Sequence, residues 1–414
     1  MTPRTRTVAR VASAAAVLAA TLPPAGAADP ARVDPLCLAC GATGVAELLL
    51  NAALFLPLGL AVARLATGAR GVGAALAWGL VLSIGVEAGQ LVIPGRHPAL
   101  GDLLANVAGA GIGGSLAVTS SRWLHAGDRA ASALSSAWGA LAASIFLGTA
   151  LLLQPALPAS DYWIQHAPDL GQFARFRGTV LSARSGGVDL PAGRLAASDR
   201  RSLGSVLARG PHLAARVRLG DPPAGLAPVL SVFDGRQREI LVLGQDGRDL
   251  VFRLRRRAAD LGLRRPEIRA SGLLAGLSAG ETVVLAVRPD PRRAAGGLCL
   301  RAGPSRRCGL GHRAGSGWSL LVGPVAAPGT ARALDAAWIA LLLLPLGFWA
   351  RPRAGWRTGL LAALGALAAA PLAGPVLAAG VPEAAGAALG LLGGLGLERL
   401  VGSRRSGRSG SSEP

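Results

Sequence analysis

Seven apolar stretches of about 17–24 residues punctuate this chain. They lie near 45–64, 72–93, 102–120, 130–153, 334–350, 358–379 and 382–401. A helix of that length crosses a hydrocarbon core of ~30 Å. Inside such a core no water is present to bond backbone N–H and C=O groups, so the spans must be helical. Composition agrees, with 51% hydrophobic and 16% charged residues, too apolar for an ordinary soluble domain. A shorter apolar run opens the chain. Arg4, Arg6 and Arg10 precede Val11 to Leu22, and small residues follow through Ala28. Segment 1–28 reads either as a signal peptide, with Ala25-Gly26-Ala27 as the cleavage site, or as a first transmembrane helix. The short apolar run and the Pro23-Pro24 pair favour the peptide on length.

All 43 basic residues are Arg and the formal net charge is +20. Their distribution argues against a nucleic-acid partner. Arg64 and Arg70 flank one short loop, Arg122 and Arg129 the next, and Arg351, Arg353 and Arg357 a third, while Arg404, Arg405 and Arg408 lie in the tail. The alternate loops carry Arg32, Arg96 and none between Gly380 and Glu383. This is the positive-inside pattern. It predicts a multi-pass membrane protein, with about eight spans or a signal peptide plus seven. On the eight-span reading both termini are inside, and residues 402–414 form a disordered Arg/Gly/Ser cytoplasmic tail.

Between the span at 130–153 and the three helices at 334–401, residues 158–330 differ in character. Apolar and polar residues alternate in His212 to Leu219, Glu239 to Leu243, Leu250 to Arg255 and Thr282 to Val287. Turn signals such as Asp234-Gly235 and Asp246-Gly247 separate the runs. Short strands punctuated by turns predict an inserted all-β sandwich, placed outside the cytoplasm by the charge pattern. The region from Gln154 to Ala333 carries 27 Arg against 13 acidic residues. Its partner is then a cell-wall glycan or an anionic envelope polymer, unless the charge is only a solvated face.

Within the first three long spans sits a sparse polar set: Asn51, Glu87, Gln90, Arg96, Asp102 and Asn106. Polar groups in apolar spans are costly and mark functional sites by default. Glu87 and Gln90 are i,i+3, and Asp102 and Asn106 are i,i+4, so each pair shares a helix face. On the predicted topology all six converge on the outer-leaflet half of the bilayer, with Glu87 about 10 Å inward. Arg96 would bind an anion or balance charge, and Glu87 would be a buried carboxylate that exchanges a proton or holds a head group. The alternative is that these residues only hydrogen-bond between helices, with Asp102 complementing the helix dipole and Gly101 as its cap or turn.

The pieces NAALFLPLG (Asn51 to Gly59), EAGQ (Glu87 to Gln90), PGR (Pro94 to Arg96) and GDLLANVAGAGIG (Gly101 to Gly113) occur in an order that resembles the VanZ-like family of multi-pass bacterial membrane proteins. The resemblance covers residues 45–120, about a quarter of the chain, and favours a retained first span. It implies a role at the cell envelope and in tolerance to glycopeptides such as teicoplanin. The run FDGRQREILVLGQDGRDLVFRLRRR (Phe233 to Arg257) resembles the laminin-G/concanavalin-like module, which implies ligand binding by the sandwich. A membrane-embedded enzyme or lipid-handling protein, using Glu87, Arg96 and Asp102 on a lipid-linked head group, is the competing class. Neither resemblance implies a cofactor.

Small residues at four-residue spacing, Gly109 and Gly113, then Gly386, Gly390 and Gly394, predict close helix contacts. Cys299 and Cys308 bracket a turn on the oxidising side and are expected to pair, a loop closure of roughly 2–3 kcal/mol. Cys37 and Cys40 form a C-x-x-C that reads equally as a local disulfide or two thiols. No nucleophile elbow, phosphate loop or metal motif is present in the sequence.

Overall fold

The computed structural model describes residues 3–21, 35–65, 68–93, 96, 98–171, 173–292, 296–350 and 354–409. The helices before the β region are α1 (Pro3–Thr21), α2 (Gly44–Val62), α3 (Gly68–Gln90), α4 (Leu100–Val118), α5 (Ser120–Leu124) and α6 (Asp128–Leu152). The β region adds α7 (Ala197–Arg209), α8 (Arg257–Asp260) and α9 (Ser319–Val322), and the chain ends with α10 (Pro328–Phe348), α11 (Ala354–Ala373) and α12 (Val381–Ser409). Among the described residues, seven helices are long and apolar enough to cross a membrane: those at Gly41–Val62, Gly68–Gln90, Leu100–Val118, Asp128–Leu152, Pro328–Phe348, Gly355–Ala373 and Val381–Val401. Leu372, Leu361, Leu392 and Val81 are exposed on them, an outward apolar surface suited to lipid. The apolar part of α1, Thr7–Thr21, is shorter than a span. The expected cleavage site at Ala25 to Ala27 lies outside the described residues, and helix continues to Ser409, past residue 402 where a disordered tail is expected.

Glycine sets the helix pairs. A Cβ on Gly59 would strike the Ala110 carbonyl, and one on Gly109 or Gly113 would strike those of Ala52 and Leu56. Thus α2 and α4 touch backbone to backbone. In the same way Gly386, Gly390 and Gly394 of α12 lie on Ala336, Ala340 and Leu344 of α10, and Gly347 lies on Leu391. α6 pairs with α11 through Gly139, Gly355 and Gly359.

Twelve strands follow α6: β1 (Tyr162–His166), β2 (Thr179–Ser185), β3 (Val188–Asp189), β4 (Gly193–Arg194), β5 (Leu213–Arg218), β6 (Leu226–Asp234), β7 (Glu239–Asp246), β8 (Asp249–Leu254), β9 (Ile268–Ala270), β10 (Thr282–Pro289), β11 (Leu298–Ala302) and β12 (Ser305–Leu310). They form two antiparallel sheets, ordered β4-β1-β6-β7-β8-β9 and β12-β11-β10-β5-β2-β3. Ile164, Leu241 and Phe252 of the first meet Leu213, Leu285 and Leu300 of the second in one buried core. The four alternating runs of the sequence are β5, β7, β8 and β10, joined where Asp246-Gly247 and similar turns predict. Strand β7 departs from simple alternation, being buried on both faces. Helix α7 was not anticipated by the alternation, and it seals the core with Leu203 and Leu207. Cys299 and Cys308 form a disulfide between β11 and β12, and Cys37 and Cys40 form another in the loop before α2.

The sandwich is seated on one end of the bundle. Its Gly262 takes a left-handed turn at φ +67° and offers its carbonyl to the Ala46 N–H of α2 at 3.1 Å. The buried Arg256 guanidinium donates to the Leu153 carbonyl at the C-terminus of α6, 3.0 Å away, a favourable place for a cation. Burial lowers Arg256 to about 10.

Candidate functional site

The site begins with the glycine-paired α2 and α4, against which α3 also packs. Helix α4 has no side-chain cap. Its first N–H groups are met instead by the disulfide loop: Leu100 donates to the Pro35 carbonyl at 2.9 Å and Gly101 to that of Cys37 at 3.1 Å. Gly101 is therefore not the helix cap or turn. It lies inside α4, and its missing Cβ lets the Leu38 carbonyl approach. Glu87, near the end of α3, accepts the Ala99 N–H at 3.1 Å.

These contacts leave a cavity of about 620 Å³ between α1, α2, α3 and α4. All six residues of the polar set, Asn51, Glu87, Gln90, Arg96, Asp102 and Asn106, line it. Asn51 Nδ2 donates to Asp102 Oδ1 at 2.8 Å, joining α2 to α4. Asn106, 2% exposed, donates to Ser83 Oγ at 2.9 Å, and its own Oδ1 is buried without a partner. Gln90 Nε2 donates to the Thr21 carbonyl at 3.3 Å, which holds α1 as a wall of the cavity. Arg96 and Glu47 act on the Asp102 carboxylate with opposite electrostatic sign.

Glu47 and Arg264 also line the cavity and were missed in the sequence. Glu47 is i−4 to Asn51, so the helical spacing was a usable signal. Arg264 had none, because it arrives from the sandwich. Its Nε donates to the Leu321 carbonyl at 2.9 Å and its Nη2 lies 3.7 Å from Glu47 Oε1. Both partners of that ion pair are over a third exposed, so it is worth little in stability.

Much of the sandwich's positive charge is internally paired. Arg269 bridges Asp246, Asp249 and Glu267 at 2.7–2.9 Å, and Arg253 also meets Glu267 at 2.8 Å. Burial opposes the Arg269 charge, but these carboxylates outweigh it and hold the group above its ordinary value. Asp290, Cys299 and Cys308 come close together, yet both sulfurs are consumed in the disulfide and cannot ligate a metal.

Residues 13–121 match the model of the VanZ/LLP1 family, a stretch that runs from within α1 through α4 and includes every residue of the polar set. No curated protein and no solved structure matches the chain. The cavity-bearing stretch is thus similar to the VanZ/LLP1 family over residues 13–121, and the chain joins it to further helices long and apolar enough to cross a membrane, with a β domain between the two groups.

Proposed function

We propose that the cavity bounded by α1, α2, α3 and α4 receives the polar head group of an amphiphilic envelope molecule at the outer boundary of a bacterial cytoplasmic membrane. The observation that carries this reading is the convergence of all six intramembrane polar residues on one 620 Å³ space. Three of them also pair across helices, Asn51 with Asp102 and Asn106 with Ser83. Such contacts contribute about 0.6 kcal/mol each on average and do not require a cavity of this size. The outward orientation is supported by two disulfides on the sandwich side, where oxidation persists, and by the Arg-rich loops at the opposite ends of the helices. The site binds and positions; Glu87 is the residue placed to exchange a proton should it also perform chemistry.

Glycopeptide tolerance is the expected phenotype, on the strength of the family resemblance. Glu87→Gln or Arg96→Gln abolishes it while membrane abundance stays normal, and lipid-extract mass spectrometry shows the head-group class that accumulates. Equal loss of abundance and phenotype sinks the reading. The two six-stranded antiparallel sheets support a second one, a laminin-G/concanavalin-like module docking on anionic wall polymer. Retention of the full chain on isolated wall glycan, lost at high salt, tests it.

A further inference from the structure

The contacts between helices repeat. In the first unit Gly59 meets Ala110, Gly109 meets Ala52, and Gly113 meets Leu56 and Leu60. In the last helices Gly347 meets Leu391, Gly390 meets Ala340, and Gly394 meets Leu344 and Phe348. These pairs are related by one constant offset from α2 to α10 and one from α4 to α12. Pro57-Leu58-Gly59 falls on Pro345-Leu346-Gly347. Both members of the acid pair are carried along: Glu47 falls on Asp335 and Asp102 on Glu383. The first helices agree as well, since Thr21 bonds back to the Val17 carbonyl in α1 and Thr149 to that of Ile145 in α6.

The two clefts differ in content. In the second, residues Ala314–Trp318 form a 3-10 turn wedged among α6, α10 and α12. Trp318 Nε1 donates to Asp335 Oδ1 at 2.8 Å. Gly317 packs against Trp338 and Thr149, and Gly315 against Glu383, which is 0% exposed with Oε1 unpartnered. Asp335, Trp338 and Glu383 are the counterparts of Glu47, Leu50 and Asp102, all of which line the open cavity. The second cleft also has Ile339, Leu377 and Ala387 where the first has Asn51, Arg96 and Asn106.

We infer that Ala314–Trp318 is a built-in occupant of the second cleft, and that the open cleft takes an external occupant which likewise brings an N–H donor on an apolar body to its acid pair: the primary ammonium head group of an amphiphile. The excess of carboxylates (Glu47, Glu87, Asp102) over guanidiniums (Arg96, Arg264) around the cavity favours a cation. This inference rests on the head-group reading above.

The experiment measures the Tm of the purified full chain in neutral detergent with dodecylamine, dodecyltrimethylammonium or dodecyl phosphate added. Dodecylamine raises Tm by about 1–2 °C, corresponding to a stabilisation on the order of tenfold. The trimethyl compound, which has no N–H, does not. Glu47→Gln and Asp102→Asn remove the shift, whereas Asp335→Asn keeps it because that carboxylate is already engaged by the Trp318 N–H. A shift with dodecyl phosphate in place of the amine overturns the assignment of the cation but leaves the head-group reading intact. Equal shifts with both cations, or loss in Asp335→Asn, also overturn the assignment. Silence of all three probes overturns both.

Discussion

The first and last helical units share a backbone and differ in their polar residues. Both have two helices locked by glycine against carbonyl oxygens, and both carry one acid on each of those helices toward the cleft, Glu47 and Asp102 in the first and Asp335 and Glu383 in the second. Asn51, Arg96 and Asn106 belong to the first unit alone. The second unit serves as an internal control. What both units keep belongs to the architecture, and what only one keeps is free to serve a ligand. The middle helices mark the structural divergence, because α3 packs on α4 while α11 packs on α6. The first cleft is thereby walled by α3 and its Glu87 and Gln90, and the second is not.

The largest expected effects test the shared part. Gly113→Val and Gly394→Val each force a side chain into the opposing backbone, where nothing can rotate away. Each should cost about 3 kcal/mol or more and strip the protein from the membrane fraction to a similar degree. A severe defect in one and near-normal abundance in the other breaks the equivalence of the two units.

Much of this was legible because membrane helices and strands obey simple periods. Apolar runs of span length located seven helices to within a few residues, and turn signals located β5, β7, β8 and β10. The four-residue glycine spacing foretold both helix pairs. The polar set was legible because each member is out of place in an apolar run. Arg264 was not, since a residue delivered by tertiary contact leaves no local trace. Nor was the repeat, because glycine contacts persist through substitutions that erase other identity: only the PLG triplet and the spacing survive between α2 and α10. Helix α7 was overlooked because Ala197–Arg209 lies inside a region read for strand alternation, although Leu203 and Leu207 share one helix face.

The disulfides sharpen the contrast next. In the first unit Cys37–Cys40 holds the loop that caps α4, whereas Cys299–Cys308 staples the β11–β12 hairpin outside the first cavity. Replacing either pair with Ser should cost about 2–3 kcal/mol of stability in thermal melts. Cys299–Cys308 stands beside Gly309 and Leu310, which line the second unit's cavity, so only loss of Cys37–Cys40, whose loop lines the first cavity, should reduce glycopeptide tolerance at equal protein abundance. Tolerance lost equally in both variants would place the site elsewhere.

Acid should act on the second unit. His312 is buried at its contact with the sandwich, where burial and the nearby Arg256 hold it down to about 3. The unfolded chain binds that proton near 6.5, so the unfolded state carries more protons between the two values and stability falls as pH drops through that window. Between pH 7 and pH 5 the loss should be about 2 kcal/mol, and His312→Gln should flatten the Tm profile over that range. An unchanged slope in the variant would remove His312 as its source.

Arg264→Ala is the smallest and most discriminating change. The Arg264–Glu47 pair is half exposed, so its removal should cost below about 1 kcal/mol and leave Tm almost unmoved. It nevertheless takes the sandwich's guanidinium out of the cavity, tipping the charge there further toward the carboxylates. If the occupant is a cation, dodecylamine binding should strengthen slightly, and more so at low salt where screening is weak. If Arg264 instead holds an anionic group of the occupant, binding should weaken. A response to Arg264→Ala would show that the β domain is part of the first unit's site, although it is inserted in the second.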